Sequence, residues 1–223
     1  MKILSRFYNW AYHLYTRLAL NISYDFQVWR AEEYPEGPKI YCSNHFSSSD
    51  VHFVSTLMDE PLHMVIGSGF TIKIARYFLK HMEQIPADTK ENRAHVIDEA
   101  VKYLKKGESV YIFPEGKLNS LEKMDEFKAG IARIYLKYPV PIVPIGLLAP
   151  KRRVRHKYSA AAERNLTIVS RNYYANIGRS MQFPQAIEKA KTDRKGAEKL
   201  ILDELYQEID ALINDLKTNK FWS

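Results

Sequence analysis

Cysteine is almost absent from this chain, and long hydrophobic runs are missing altogether. Cys42 is the single cysteine among 223 residues, which excludes an intrachain disulfide and a multi-cysteine zinc site. It also favours a reducing compartment. No uncharged apolar stretch of about 18 residues occurs, so we expect no transmembrane helix. Hydrophobic residues make up 46% of the chain and charged residues 26%, as in folded domains rather than disordered or fibrous proteins.

Acidic residues are outnumbered by basic ones. The 33 lysines and arginines exceed the 26 aspartates and glutamates, which gives a formal net charge of +7. A surplus of this size predicts an anionic partner, such as a membrane surface, a phosphorylated ligand or nucleic acid. The 15 tyrosines favour the membrane interface, because amphipathic rings are stable at that depth.

Apolar residues near the amino terminus recur at helical spacing and predict an amphipathic helix. Such a helix can lie in the plane of a bilayer surface, or it can pack its apolar stripe on its own domain. We assign residues 1–30 to an amphipathic helical segment at a membrane interface, and residues 31–223 to a main domain that ends in amphipathic helices. The stripe comprises Ile3, Leu4, Phe7, Trp10, Ala11, Leu14, Tyr15, Leu18 and Ile22.

Short apolar runs alternate with helical patterns after a linker that contains proline and glycine. This alternation predicts βαβ units, and so an α/β fold with a mostly parallel mixed sheet flanked by helices. We predict strands at residues 39–42, 63–66, 84–86, 109–113, 141–148 and 166–170, helices at 50–58, 71–80, 91–105 and 127–138, and one or two helices over 184–217.

A histidine and an aspartate lie close together after the first predicted strand. The segment CSNHFSSSD places His45 in a turn and Asp50 at the start of a helix. Ligands of α/β proteins bind at the carboxyl edge of the sheet, where this turn is expected to lie. His45 is a candidate general base, and Asp50 is a candidate to orient it. On its own, such a pair is also common in ordinary loops.

Two further segments place unusual residues at strand ends. The strand at residues 109–113 runs directly into Pro114, Glu115 and Gly116, which presents Glu115 at a tight turn. The segment VPIVPI at residues 140–145 carries two prolines in one strand. Because proline donates no ladder hydrogen bond, we expect this strand at a sheet margin or in the wall of a cleft.

In this order and spacing, the three segments resemble the glycerolipid acyltransferases, which include the 1-acylglycerol-3-phosphate acyltransferases. The pattern FKxG at residues 127–130 and the tripeptide IGR at residues 177–179 also fit. The resemblance spans residues 39–181. It implies that the main domain is an acyltransferase domain with the fold of that family.

The resemblance also implies a mechanism and site residues. His45 would take the proton of an acceptor hydroxyl, and Asp50 would orient the imidazole and stabilise its charge. The acyl group would pass directly from acyl-CoA or acyl carrier protein, which are co-substrates, with no acyl-enzyme, bound cofactor or metal. The FPEG block binds the acceptor in this family, so Pro114, Glu115 and Gly116 are expected to be acceptor-binding residues.

The chain departs from the family at two arginines. The family's second block has the form GxIxxDR, but residues 83–89 here read EQIPADT, and Lys117 and Leu118 replace the threonine and arginine after FPEG. The family arginines are associated with the acceptor phosphate. We expect Lys90, Arg93 and Lys117 to supply charge instead. The acceptor is therefore a lysophospholipid, with 1-acylglycerol-3-phosphate as the leading candidate, or a lipid without phosphate.

A dense basic cluster follows the VPIVPI segment. It is expected to contact anionic lipid headgroups or the donor's phosphates, although a solvated loop has the same composition. We expect no nucleic-acid partner, because no such motif accompanies it. Together with the amino-terminal helix, the basic cluster predicts a peripheral or monotopic protein on the cytoplasmic face of a membrane. A non-catalytic lipid-binding protein and a basic interaction module are the alternatives. The cluster comprises Lys151, Arg152, Arg153, Arg155 and Lys157.

Overall fold

The computed structural model describes residues 3–31, 33–34, 36–58, 60–87, 93–119, 123–149 and 172–218. The helices in this part are α1 (Ile3–Ser23), α2 (Asp50–Leu57), α3 (Lys73–His81), α4 (Arg93–Lys105), α5 (Gly130–Lys137), α6 (Pro184–Lys189) and α7 (Arg194–Thr218), with a 3-10 turn at Ser68–Thr71. The strands are β1 (Asp25–Arg30), β2 (Ile40–Ser43), β3 (Leu62–Ile66), β4 (Ile85–Pro86), β5 (Ser109–Ile112), β6 (Ile142–Leu148) and β7 (Asn172–Ile177).

These seven strands form one sheet in the order β1-β7-β6-β2-β5-β3-β4. Every neighbouring pair is parallel except β6 and β7, which run antiparallel. The prediction of a mostly parallel mixed sheet flanked by helices is confirmed. The carboxyl ends of β2 and β5 are neighbours, so the segments that follow them meet at one edge of the sheet.

The central strands divide their side chains between two hydrophobic cores. Ile40 and Cys42 of β2 belong to the core that α4, α5, α6 and α7 cover. Tyr41 lies between them and faces the other core, which it shares with Phe53 of α2 and Tyr173 of β7. Successive side chains of a strand point to opposite faces. A strand that is buried on both faces is therefore apolar at nearly every position, which made β2, β5 and β6 recognisable.

The predicted helical segment of residues 1–30 is shorter than expected. Helix α1 ends at Ser23, and the six residues of β1 pair in parallel with β7. Phe26 of β1 packs against Phe53 and Tyr173, with ring centroids 5.3 and 5.6 Å apart. These partners are distant in the chain, so local periodicity did not reveal the strand.

Strand β7 was not among the predicted strands. The strand predicted over residues 166–170 lies outside the described residues. The six residues of β7 are all buried except Asn172, which is half-buried. Its sequence NYYANI contains two asparagines and an alanine, which are depleted in strands, and they weaken the strand signal of its tyrosines and isoleucine.

The expectation that the VPIVPI strand lies at a sheet margin is wrong. Strand β6 lies inside the sheet, between β7 and β2. Ile142 donates its N–H to the carbonyl of Met181, on the side of β6 that faces β7. The nitrogens of alternate residues in a strand point to the same neighbouring strand, so the nitrogen of Pro144 also faces β7. Pairing with β7 begins only at Ile145, so the missing N–H of Pro144 faces a gap in the ladder. Its carbonyl still accepts the N–H of Gly178 at 2.9 Å.

Helix α1 turns its polar side towards the domain and its apolar side outwards. Ser5 and Thr16 are each only 3% exposed, whereas Trp10 is 61% exposed. The interpretation in which the stripe packs on its own domain is therefore wrong. None of the helices in the described ranges has the length and apolar character needed to cross a membrane. The large hydrophobic side chains that α1 exposes are Ile3, Leu4, Phe7, Trp10, Leu14, Tyr15, Leu18 and Ile22.

Helix α3 extends this apolar surface, although its sequence was not predicted to form part of it. Tyr8 of α1 makes an edge contact with Phe78 of α3, with centroids 6.2 Å apart. Asn9 of α1 donates a hydrogen bond to the carbonyl of Met82 at the end of α3. We call the exposed apolar side chains of the two helices the α1–α3 surface. On the α3 side, it comprises Ile72, Ile74, Tyr77 and Phe78.

Candidate active site

His45 and Asp50 meet at the carboxyl end of β2. Asp50 is the first residue of α2, and the turn before it brings the carboxylate back to the histidine. Nδ1 of His45 lies 2.9 Å from Oδ2 of Asp50. The Asp50 side chain is fully buried, whereas that of His45 is 15% exposed. The structure thus brings together the two residues predicted to form the catalytic pair.

The Asp50 carboxylate is held by three more donors. Oδ2 accepts the backbone N–H groups of Phe46 at 2.8 Å and Ser47 at 2.9 Å. Oδ1 accepts the hydroxyl of Tyr173 at 2.9 Å. Because Asp50 accepts on this side, the proton of a neutral His45 lies on Nδ1, and its lone pair lies on Nε2. The geometry therefore leaves Nε2 as the basic atom.

Tyr173 is a site residue that sequence reasoning missed. It belongs to β7, and its hydroxyl reaches Asp50 across 123 residues of chain. Its ring stacks on Phe53 of α2, with centroids 3.6 Å apart. Burial and the charge of Asp50 raise the pKa of Tyr173 well above its usual value, so the hydroxyl remains a donor. No motif marks this residue, because its role depends on how β7 pairs in the sheet.

The segment that carries His45 is fixed on both sides. The Asn44 side chain donates to the carbonyl of Leu147 at 2.9 Å and accepts its N–H at 2.8 Å, which joins the segment to β6. The imidazole of His45 stacks on Phe113, with centroids 3.9 Å apart and ring planes at 19°. These contacts leave the ring little freedom to rotate, which favours one catalytic geometry.

Glu115 connects the FPEG turn to the histidine segment. It is 1% exposed, and its Oε1 accepts the backbone N–H of His45 at 2.9 Å. Its Oε2 accepts the amide of Asn119 at 2.9 Å and the N–H of Asp125 at 2.8 Å. Burial raises the pKa of Glu115, and the hydrogen bonds from Asp125, Asn119 and His45 oppose that rise. The carboxylate is a brace between loops, and its predicted role in acceptor binding stays a prediction.

The rest of the FPEG turn has a glycine where the backbone requires one. Gly116 has φ 68°, a conformation that side chains with a Cβ rarely adopt. Pro114 is buried, and its carbonyl accepts the N–H of Lys128 at 2.7 Å, so the FKxG segment holds this turn. Lys117 is half exposed and forms an ion pair with Asp125 at 2.8 Å.

The other predicted binding residues are less well placed by the structure. Arg93 is the first residue of α4, and its predicted role in acceptor binding stays a prediction. Lys90 and the basic cluster of residues 151–157 lie outside the described residues. The described site therefore consists of an oriented histidine, a buried aspartate and a braced turn. This arrangement can act as a general base towards a hydroxyl group close to Nε2.

A protein-family model described as Acyltransferase matches residues 25–148, which is more than half of the chain. The chain belongs to the acyltransferase family. The match includes α2, the first six strands and the FPEG turn, so all of the site described above except Tyr173 lies within it. The family resemblance inferred from the motifs is confirmed.

Two curated proteins are similar to this chain. A chloroplastic 1-acyl-sn-glycerol-3-phosphate acyltransferase of Brassica napus is 26% identical over 147 residues, which are 64% of this chain and 43% of that protein. A chloroplastic enzyme of the same name from Arabidopsis thaliana is 27% identical over 148 residues, 64% of this chain and 41% of that protein. The match thus covers less than half the length of these relatives.

A solved structure shares the fold. The crystal structure of the 1-acyl-sn-glycerophosphate acyltransferase PlsC from Thermotoga maritima aligns with a TM-score of 0.71. The alignment covers 98% of this chain and 83% of the Thermotoga chain, at 15% sequence identity. At this identity the likeness establishes the fold, and it includes both α1 and the carboxyl-terminal helices.

Proposed function

We propose that this chain transfers a fatty acyl group from an acyl thioester to the hydroxyl of a lysophospholipid, with 1-acylglycerol-3-phosphate as the leading acceptor. The observation that carries the proposal is the 2.9 Å contact between Nδ1 of His45 and Oδ2 of Asp50. The names of the two plant relatives and of the Thermotoga protein, all acyltransferases for 1-acylglycerol phosphates, support this acceptor.

In the proposed reaction, Nε2 of His45 accepts the proton of the acceptor hydroxyl as its oxygen attacks the thioester carbonyl. The tetrahedral intermediate then collapses, the carbon–sulfur bond breaks, and the leaving thiolate takes the proton from His45. Asp50 stabilises the imidazolium while it exists. The products are the acylated acceptor and a free thiol. The chain itself is never acylated, and the scheme uses neither a metal nor a bound cofactor.

The donor in this proposal is acyl-CoA or acyl carrier protein, and both carry the acyl chain on a thiol. Both also carry phosphate groups, which suit the basic cluster of residues 151–157. An acyl-transfer assay that offers each of the two donors separately distinguishes them.

The acceptor phosphate is proposed to bind near the FPEG turn. Lys117 is half exposed there, and Lys90 and Arg93 are the other basic residues that stand where the chain departs from the family. Lysine provides a point charge rather than the planar fork of arginine. The ion pair between Lys117 and Asp125 favours the alternative acceptor, a lipid without phosphate, because Asp125 already offsets the lysine charge.

The α1–α3 surface is proposed to lie on the cytoplasmic face of a membrane and to hold the protein there peripherally or monotopically. Exposed aromatic and aliphatic side chains on two adjacent helices are a typical membrane-binding surface. Tyr12 of α1 contacts His52 of α2 at 2.6 Å, and α2 begins with Asp50. The helix that would lie on the bilayer therefore packs on the helix that carries the site, and the net charge of +7 favours anionic lipids.

The test is an acyl-transfer assay with the purified chain in mixed liposomes. Lysophosphatidate, other lysophospholipids and a lysolipid without phosphate are each offered with acyl-CoA and with acyl carrier protein. We expect transfer to lysophosphatidate that is lost in His45→Ala and retained in His95→Ala, a control at an exposed position of α4.

Other results would redirect the proposal. Transfer only to a phosphate-free acceptor would establish the alternative. Transfer to no acceptor, while the wild-type chain binds lipid vesicles, would indicate a non-catalytic lipid-binding protein on this fold.

A further inference from the structure

A second cluster of chemically active side chains lies at the opposite end of the sheet from His45. His63 is the second residue of β3, Glu108 directly precedes β5, and Glu83 lies in the turn between α3 and β4. These three strands are neighbours in the order β5-β3-β4. The cluster therefore lies at their amino ends, whereas the candidate active site lies at the carboxyl ends of β2 and β5.

The three side chains are close enough to share one ion. A ligand atom from His63, one from Glu83 and one from Glu108 all lie within 4.8 Å of one another. Zinc bonds to imidazole nitrogen and carboxylate oxygen at about 2.0–2.2 Å. Small carboxylate rotations would therefore bring all three atoms into its coordination shell.

The hydrogen bonds of His63 leave a lone pair facing a carboxylate. Nδ1 of His63 lies 2.9 Å from the carbonyl oxygen of Glu83, which can only accept, so Nδ1 carries a proton. In the neutral imidazole, the lone pair is then on Nε2, which lies 3.0 Å from Oε2 of Glu108. Two lone pairs at this distance repel unless a proton or a cation lies between them. A histidine that donates Nδ1–H to a carbonyl and presents Nε2 is also the usual arrangement of a metal ligand.

Glu83 combines the conformation that ends helix α3 with a buried oxygen that structural packing does not explain. Its φ of 56° is the left-handed conformation in which helices commonly end, and here the N–H of Glu83 donates to Lys80 and that of Gln84 donates to Leu79. Its Oε2 is the one buried side-chain oxygen or nitrogen in the described part of the chain that has no hydrogen-bond partner. A glycine stands at this position in the family pattern. The chain thus leaves a buried carboxylate oxygen of Glu83 without a hydrogen-bond partner near His63.

We propose that His63, Glu83 and Glu108 bind a divalent transition-metal ion of the Zn²⁺ class. The ion would lie between Nε2 of His63 and the two carboxylates, where it would partner the buried oxygen of Glu83. Two carboxylates and one neutral imidazole neutralise a divalent ion. Imidazole with carboxylates is a ligand set that suits zinc and its neighbours.

The ion would fasten the turn after α3 to the sheet. Gln84, next to Glu83, already bonds the backbone of β3: its Oε1 accepts the N–H of Met64 at 2.6 Å, and its Nε2 donates to the carbonyl of Leu62 at 3.1 Å. The His63 ring stacks on Tyr103 of α4, with centroids 3.6 Å apart. This prebuilt framework means that metal binding requires little rearrangement. The role is structural, and it departs from the expectation of a chain without metal ligands.

The test uses the purified chain in detergent micelles, stripped of metal by a chelator and titrated with Zn²⁺ by calorimetry. We expect one saturable site per wild-type chain and a rise in the unfolding temperature as it fills. In Glu83→Gly, zinc affinity should fall at least tenfold and the temperature rise should disappear. The metal-free variant should still fold, because glycine relieves the strain at φ 56°.

Further variants separate this site from other zinc-binding groups. Glu83→Gln keeps the size of the side chain and should lose affinity as Glu83→Gly does. His81→Gln, which removes another histidine near the turn, should bind zinc as the wild type does. Equal affinity in the wild type and both Glu83 variants would overturn the proposal, as would the absence of saturable binding. His63 and Glu108 would then form a hydrogen-bonded pair without a metal ion. Neither result depends on acyl transfer.

Discussion

The hydroxyl of Tyr173 donates a hydrogen bond to Oδ1 of Asp50 across 2.9 Å, and the opposite oxygen of that carboxylate accepts from His45. A residue of β7 thereby positions the aspartate that orients the proposed base. In Tyr173→Phe, we expect turnover to fall about tenfold, because a hydrogen bond to a charged group contributes about 1.5–3 kcal/mol. The Michaelis constant for the acceptor should change little, because Tyr173 acts through Asp50 rather than on substrate.

The matched control for this prediction is Tyr174→Phe. It removes the same hydroxyl from the next residue of β7, whose side chain points to the other face of the sheet. Both variants are assayed well below their unfolding temperatures, with turnover and the Michaelis constant measured separately. Equal losses of turnover in the two variants would show that the effect comes from the strand and not from the Asp50 contact.

The sequence revealed the proposed catalytic residues better than it revealed the residues that hold them in position. His45 and Asp50 were recognisable because a turn of six residues joins them, and the FPEG turn because Gly116 must adopt φ 68°. Tyr173 was not recognisable, because its contact with Asp50 spans 123 residues. Local patterns encode local geometry, whereas contacts across the sheet depend on strand order.

The same limit applies to α1 and β6. Periodicity predicted an amphipathic helix, but an apolar stripe looks the same whether it faces a core or a membrane. Only the burial of Ser5 and Thr16 decided the orientation. The two prolines predicted an edge position for the VPIVPI strand. Pro144 is tolerated inside the sheet because the pairing of β6 with β7 begins only at Ile145, and the sequence around Pro144 does not show where that pairing begins.

Replacing Asp50 by asparagine is expected to lower turnover by on the order of 10²- to 10³-fold. The N–H groups of Phe46 and Ser47 require an acceptor at Oδ2. The amide oxygen of asparagine should therefore occupy that position and keep the proton of His45 on Nδ1. The variant then loses the negative charge that stabilises the imidazolium and the oxygen that accepts the Tyr173 hydroxyl. The measurement is the initial rate of acyl transfer, with the unfolding temperature as a check on folding, and wild-type turnover would contradict the proposed role.

The contribution of Glu115 to stability should decrease as the pH rises. Burial raises its pKa above the usual 4.5, although hydrogen bonds from Asp125, Asn119 and His45 oppose the rise. Below about pH 4.5, the folded and unfolded chains both hold this proton. Above it, the unfolded chain loses the proton first, so the unfolding free energy falls until the folded carboxyl ionises as well.

Urea unfolding of the wild type and Glu115→Gln from pH 4 upwards measures this effect. The unfolding free energy of the wild type minus that of the variant should decline over the pH range directly above 4.5 and then level off. Glu126→Gln, at an exposed position of the same segment, is the control for a general change of charge. A difference that rises with pH for Glu115→Gln would contradict the prediction.

Charged substitutions on the α1–α3 surface should weaken membrane binding without loss of stability. Phe7 is 58% exposed and Ile74 is 74% exposed, so neither contributes much to the folded core. Burying each in a bilayer interface is worth about 1.5–3 kcal/mol, so Phe7→Asp and Ile74→Asp should each lower binding to anionic vesicles about tenfold or more. Lys199→Glu, a larger change of charge at an exposed position of α7, is the control. Sedimentation with vesicles is the measurement, and equal losses in all three variants would indicate that only net charge matters.

The contact between β6 and α7 leaves no space for a side chain at Gly146. A Cβ atom there would lie 2.8 Å from Cβ of Leu212 and 2.9 Å from the backbone nitrogen of Ile213. Because backbone cannot give way as the end of a side chain can, Gly146→Ala should lower the unfolding free energy by about 1–3 kcal/mol. Gly67→Ala is the matched control, since its nearest contact would be 3.6 Å away and its φ is −88°. Urea unfolding measures both, and an unchanged midpoint in Gly146→Ala would mean that α7 can move away from the sheet without cost.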